Sequence, residues 1–458
     1  MFPSKLFSGL LTDLYELTMA AGYVQNRFND RATFELFVRH LPRNRNYLVA
    51  AGLEQALDYL ENVHFPPDEI SYLRTLPIFR HVQTSFYDFL ATFRFSGDVW
   101  AMPEGTIFFA GEPVVRVTAP IAEAELAETS LLSIIHLQTF IASKTARVTT
   151  AAAGRPVIEF GSRRAHGVEA GVLAARAALI AGCAGTSNTY AGHCHGVPAY
   201  GTQAHSWIMA HDDESTAFRK FLDVFPEQAT LLVDTYDVRA AIDKTTPWDA
   251  NPVGCASTVV TYWPIVSGLG SGLIVLAGRM CKFSSRVTSM KIALRHFSQA
   301  TPIDSFGVRT ALSTSADAPN VEVIYKLVEV ELDHQVRGMA KFSVDNKTYP
   351  GRKQVFYFQG ENGHYSGNTI ALEDEDFPLA KSLLIPVMRD GHRLEVACQD
   401  PVSSVRNAQA RFLAARAHLP EHILRIVTAE PIYPVSYSAG LESLPEQARN
   451  SFLSTASV

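Results

Sequence analysis

Cysteine is scarce and scattered: the five in the chain (Cys183, Cys194, Cys255, Cys281, Cys398) form no CxxC pair. That pattern offers no disulfide framework and fits a reducing, cytoplasmic setting. Charge of one sign is lacking too. A net charge of -6 and a pI near 6.2 give no electrostatic footprint for nucleic acid or an anionic membrane, so an anionic substrate must be held by local groups. Long apolar runs are missing. Ile265–Gly278 is the most membrane-like stretch, yet it is too short to span and contains four glycines. The start, MFPSKLFSGLLTD, has no long apolar core before a small-residue cleavage site, so no signal peptide is expected. Internal repeats and low-complexity segments are absent. What is present is a 47% hydrophobic, 458-residue chain, enough for about two or three domains with a substantial core.

Taken in order, residues 8–24 have apolar positions at helical spacing, with Thr12 or Asp13 as N-cap. Alternation at Ala32, Phe34, Leu36 and Val38 predicts a strand, followed by a basic loop at Arg43 and Arg45. Residues 52–92 read as helical, and residues 96–120 as short strands broken by proline and glycine. A long helix is expected over Ala122–Ala153. Then RPVIEF, AGVLAARAALIAG, CAGTSN, VPAYGT, SWIMAH…FLDVF and TLLVDTYD alternate strand and helix, which predicts βα units forming a parallel sheet or barrel with its site at the C-terminal strand ends. Beyond about residue 320 the pattern turns antiparallel, and the chain closes with a helix near 401–417 and a tail. The fold class expected is α/β.

Four stretches carry chemistry. GTQAHSW (Gly201–Trp207) offers His205 on a strand-end loop, after a glycine that lets backbone approach a ligand and the hydroxyl of Thr202. EFGSRRAHG follows the strand VIEF. Its Ser162, Arg163 and Arg164 suit a carboxylate or phosphate, although two solvated arginines at a helix start are an equal alternative. DTYD brings Asp234 and Asp237 to a strand end, either for a ribose hydroxyl or metal-bound pyrophosphate or as helix caps. SFGVRTALSTS reads as a turn at Gly307 leading into Thr310 and a helix, a phosphate cradle. AGHCHG, with His193, Cys194 and His195, lacks a fourth metal ligand and reads as a loop.

TDLYELTMA, EFGSRRAHG, GTSNTYAG…GVPAYGTQAHSW, LLVDTYD, IDSFGVRTALSTS and TYPGRKQVF, in this order, resemble nicotinate phosphoribosyltransferase from about residue 10 to YPVSYSAGLESL. The resemblance implies an irregular, TIM-like α/β barrel (type II phosphoribosyltransferase) over residues 122–325. A second α/β domain would be built from residues 1–121 and 326–458, and the active form would be a homodimer. It implies that nicotinate and 5-phosphoribosyl 1-pyrophosphate give nicotinate mononucleotide and pyrophosphate in NAD salvage, with ATP as co-substrate and Mg²⁺ on the pyrophosphate. By motif, His205 would be phosphorylated by ATP and Thr202 would lie against nicotinate. Tyr15 would close over the pyridine ring from the partner subunit. Arg163 and Arg164 would face the anionic substrates, Asp234 the phosphoribosyl group and Thr310 the 5-phosphate. No nucleic acid or membrane partner is implied. A quinolinate phosphoribosyltransferase-like enzyme, or a catalytically dead subunit dimerising with an active paralogue, are the alternatives.

One segment departs from the family. Where relatives carry a stretch like PVGVRxDSGDL…VxIFxSGDLDE, this chain reads PVGCASTVVTYW…GRMCKFSSRVTSMKIALRHFSQATPIDSFG. Degenerate codons for Cys255–Val266, read one frame over, permit Arg-Val-Asp-Ser-Gly-Asp-Leu-Leu-Ala-Asp-Ser. The same shift over Met280–Ile292 permits Val-Gln-Ile-Phe-Val-Ser-Gly-Asp-Leu-Asp-Glu-Asp. Two family motifs in one consistent frame point to a one-base deletion near codon 254, compensated by an insertion near codons 294–300. Residues 255–300 are then out-of-frame translation. The family's nicotinate arginine is lost around Ala256, and weak or no activity is expected of the chain as written. Arg309 stands where the family usually has glycine, and its side chain is expected to crowd the phosphate.

Overall fold

The computed structural model describes residues 7–226, 229–237, 240, 241, 244, 305–332, 335–342 and 348–455, together with two strands at 254–257 and 273–277. Residues 258–272, 278–304 and 343–347 lie outside the described residues, and with them most of the segment, 255–300, expected to be out of frame. The chain forms two compact units. One takes residues 1–139, 320–400 and 414–458, and the other residues 140–319 and 401–413.

The first unit is built on a seven-stranded sheet in which Arg31–Val38 is an interior strand, paired antiparallel with Val323–Leu332 on one side and with the central strand Pro113–Pro120 on the other. Alternation suggested a strand with one wet face, but nearly every position is buried. The polar positions face partners instead of water: Thr33 shares a hydrogen bond with Thr118 (2.9 Å), and Glu35 accepts from the Lys353 backbone amide (2.7 Å) and ammonium (2.8 Å). Phe34 stacks on Tyr325, with centroids 4.9 Å apart, to close the core. Residues 52–92 divide into Leu53–Asn62, Pro67–Thr75 and Thr84–Ala91, because Pro66, Pro67 and Pro77 each start a new turn. The expected tail is a helix, Ala439–Thr455, started by Ser438, whose Oγ accepts from the Leu441 amide (3.1 Å).

The long helix expected over 122–153 is two, Ile121–Leu126 and Glu128–Ala151. The second unit then alternates strand and helix as its sequence rhythm predicts. Its six-stranded sheet runs Gly185–Thr186, Val157–Glu159, Ser305–Val308, Leu273–Ala277, Gly254–Ser257, Thr230–Leu232. The first three are mutually parallel, as are the last two, but Leu273–Ala277 is antiparallel to both neighbours. The rhythm up to DTYD predicts a parallel sheet or barrel; the antiparallel strand falls within residues 255–300, the segment expected to break βα packing. The Ala-rich run makes Val168–Ile180 helical, and Gly182 at φ +95° ends it. Beneath the sheet, Lys144 and Arg147 share the Asp317 carboxylate at 2.7 and 2.8 Å.

Candidate active site in the second unit

Parallel pairing in register sets the site's frame. Phe306, Gly307 and Val308 lie beside Val157, Ile158 and Glu159, and the Phe160 amide donates to the Val308 carbonyl (2.7 Å). Both strands therefore end at one level, and the segments leaving them, 160–164 and 309–313, share that edge of the sheet. Gly307 was expected in a turn. It lies within the strand, buried between Ile158 and Ile274, because the β-branched neighbours Val157, Ile158 and Val308 extend the ladder past it.

Glu159 fixes the first loop. It is fully buried, and its carboxylate accepts the Gly161 amide and the Thr186 hydroxyl (2.7 Å). Burial pushes its carboxyl up, and these two hydrogen bonds pull it back. Gly161 touches Ser313 and Glu159 so closely that a Cβ there would lie 2.8 Å from a Glu159 oxygen. The next residues, Ser162–Arg164, make one 3-10 turn. Asn188 Nδ2 donates to Ser162 Oγ (3.1 Å), while Asn188 Oδ1 caps the following helix at the Ala191 amide (2.9 Å). That cap turns AGHCHG, expected as a loop, into the end of the helix Thr189–His195, which stops at Gly196 (φ +59°). His195 is buried, and no group of three metal-ligating side chains exists among the described residues.

Arg163 and Arg164 are exposed on this turn, and both press on Arg309. Burial lowers the Arg309 pKa first, then Arg163; Asp234 opposes and Arg164 adds to the lowering. Arg309, expected to crowd the phosphate, stands beside these two arginines and Asp234. Thr310 opens a single turn, Thr310–Ser313, and its hydroxyl has no hydrogen bond among the described residues.

The second loop, GTQAHSW, is held by Gln203, also unforeseen: its side-chain oxygen accepts from the Leu232 amide (3.0 Å) at the end of the strand that leads to DTYD. Thr202 is half-buried and donates to the Gln203 carbonyl (3.0 Å). His205 begins a short helix, His205–Met209, rather than ending a loop. Its exposed ring holds Nδ1 3.2 Å from Thr235 Oγ1, so the two motifs meet through a histidine and a threonine. The expected single helix beyond is broken after Met209, since the Asp213 side chain caps a new one, Glu214–Val224, at the Thr216 amide. Trp207 supports the loop by donating to the Ala217 carbonyl (3.0 Å) and packing against the buried cluster that includes Ile208, Phe218 and Leu231. Of the two DTYD carboxylates, Asp237 caps the Ala240 amide (2.8 Å) and Asp234 is the one near the arginines. Tyr15 belongs to the other unit, on the helix Leu14–Gln25, half exposed. Its hydroxyl is pushed up by burial and by Glu128, Glu16 and Glu125.

Three guanidinium groups, one carboxylate and an open imidazole at the strand ends can bind a phosphorylated anion and accept a phosphoryl group. Known proteins agree in kind. The family models for the nicotinate phosphoribosyltransferase N-terminal domain and for the nicotinate phosphoribosyltransferase family match residues 10–136 and 156–250. The second match stops just before residues 255–300, the segment that departs from the family in sequence. Nicotinate phosphoribosyltransferase pncB2 of Mycobacterium tuberculosis is 40% identical over 400 residues, 84% of this chain and 82% of the relative. Nicotinate phosphoribosyltransferase of Bacillus subtilis is 37% identical over 379 residues, 80% of this chain and 76% of the relative. The crystal structure of human nicotinic acid phosphoribosyltransferase shares the fold, with a TM-score of 0.74 at 21% identity over 95% of this chain and 99% of that one. With an α/β fold and sequence identity of this extent, the chain belongs to the nicotinate phosphoribosyltransferase family.

Proposed function

We propose that this site joins nicotinate to 5-phosphoribosyl 1-pyrophosphate, forming nicotinate mononucleotide and pyrophosphate, and that ATP assists by phosphorylating His205. The observation that carries the reading is the meeting of His205 with Thr235, next to Asp234, whose charge reaches Arg309 as do those of Arg163 and Arg164. In the reaction the pyridine nitrogen bonds to the anomeric carbon as the bond to pyrophosphate breaks, and pyrophosphate leaves with the electron pair. No nucleophile from the protein is required, only alignment and stabilisation of the departing charge. Arg163 and Arg164 supply that charge, Thr202 lies against nicotinate, and Thr310 and Ser162 offer hydroxyls to the phosphate end. Magnesium bound to the pyrophosphate would need few protein ligands, and Asp234 would offer it a carboxylate. With Nδ1 against Thr235, His205 presents its other ring nitrogen to the γ-phosphate of ATP. Phosphate later passes from the histidine to water. Tyr15 of a second subunit completes the pyridine pocket in a homodimer.

The test is mass-spectrometric detection of nicotinate mononucleotide from both substrates, with and without ATP, beside phosphohistidine mapping. Product whose yield rises with ATP, and label lost in His205→Asn, supports the reading. Use of quinolinate without ATP overturns it. The out-of-frame residues 255–300 favour a second reading, a dead subunit that dimerises with an active paralogue. Co-purification with that paralogue and no label on His205 would establish it.

A further inference from the structure

We infer that Arg309 is the third guanidinium of a phosphoanion-binding triad with Arg163 and Arg164, a role that rests on the proposed reaction only for the identity of its substrate. The placement follows from the backbone. Glu159 and Val308 are partners at the ends of adjacent parallel strands, so the 160–164 and 309–313 segments leave the sheet side by side. Ser313 Oγ donates to the Gly161 carbonyl (3.3 Å), which ties the two turns together. Arg309 is therefore delivered to the place where Arg163 and Arg164 stand.

Its surroundings are those of a group waiting for an anion. Arg309 is half-buried, and its Nε is shielded from solvent with no hydrogen-bond partner among the described residues. A guanidinium left so costs stability, because a buried donor has given up water without replacement. The charges it senses are two further guanidiniums and one carboxylate, Asp234, which leaves the cluster with an excess of positive charge. Like charges gathered at a partly desolvated edge repel one another unless an anion joins them. A phosphoryl group fits that need: it accepts several hydrogen bonds and pairs with planar guanidinium forks. Either the 5-phosphate or the pyrophosphate of the phosphoribosyl substrate supplies this chemistry.

Binding of inorganic pyrophosphate and of ribose 5-phosphate to the full chain, measured by calorimetry, tests the triad in wild type, Arg309→Gln, Arg309→Lys and Arg309→Gly. Losing a charged hydrogen-bond donor predicts about tenfold to a hundredfold weaker binding of one probe in Arg309→Gln, with the weakened probe naming the end that is held. Arg309→Lys should recover part of the loss, and the KM for nicotinate should not move. Gln and Gly variants that bind both probes as tightly as wild type, or more tightly, overturn the triad and show crowding instead. Wild type that binds neither probe overturns it as well. Arginine-dependent pyrophosphate binding without nicotinate mononucleotide formation keeps the triad and removes the substrate assignment. Product formation with an unchanged KM for the phosphoribosyl substrate in Arg309→Gln does the reverse.

Discussion

Replacing Glu159 by leucine should loosen the phosphate edge of the site without touching a substrate. The carboxylate joins two loops: it receives Gly161 from one and the Thr186 hydroxyl from the other. Thr186 Oγ in turn accepts from the Asn188 amide (3.0 Å), and Asn188 reaches back to Ser162. Leucine is similar in size but accepts nothing, so two hydrogen bonds to a charged group disappear, each worth about 1.5–3 kcal/mol. Part of that is returned, because a carboxylate pushed up by burial no longer has to be desolvated. A net loss of roughly 2–4 kcal/mol is expected, a large fraction of the stability of an ordinary domain. Glutamine keeps an oxygen for Gly161 and can donate to Thr186 Oγ, so Glu159→Gln should lose only about 1 kcal/mol. Urea unfolding measures both, with a shifted midpoint and an unchanged slope expected. Pyrophosphate binding should weaken in the leucine variant, since Ser162–Arg164 loses its anchor. Leucine and glutamine variants of equal stability would refute the reasoning.

Other perturbations read different parts of the chain. Asp317→Ala removes the carboxylate shared by Lys144 and Arg147, both buried, and should lower unfolding stability by about 3–5 kcal/mol, checked by urea midpoint. Glu112 is fully buried and, through burial, is pushed up to about 8, with the Phe109 amide and Asn368 opposing. A raised acid takes up a proton on folding, so its contribution is full below the ordinary value near 4.5 and fades as pH rises through about 8. Thermal midpoints should fall over that window, and the fall should flatten in Glu112→Gln. The gene across codons 254–300, read one base over, should encode GVRVDSGDL and then VSGDLDE. Stop codons or unrelated residues in that frame would remove the case for a compensated frameshift.

Much of the fold was legible because periodicity reports which face is buried. The strand at 31–38 and the helix at 168–180 followed from apolar spacing alone. That Thr33 and Glu35 are buried could not be read locally, since their partners Thr118 and Lys353 lie far along the chain. The helix Thr189–His195 was hidden by its glycine, its two histidines and the glycine that ends it, and only the Asn188 cap announces it. Ala439–Thr455 was missed because Pro445 lies inside it, although Ser438 followed by Glu442 was a start signal. Of the residues carried by motif, Ser162, Arg163, Arg164, Thr202, His205, Asp234 and Thr310 lie in the second unit and Tyr15 in the first, while Gln203, Thr235 and Glu159 make contacts across loops that no spacing encodes. For Arg309 the sequence shows only a side chain where the family usually has glycine; the charges beside it, Arg163, Arg164 and Asp234, come from other loops and are not legible locally.

The most direct test compares two proteins of verified mass: the chain as written, and the same chain with residues 255–300 replaced by the in-frame reading. Each is given nicotinate, 5-phosphoribosyl 1-pyrophosphate and ATP, and nicotinate mononucleotide is counted. The restored chain should turn over with stimulation by ATP, and the chain as written should be far slower or silent. Equal turnover by the two would contradict both the assignment of the lost arginine and the reading of that segment as out of frame.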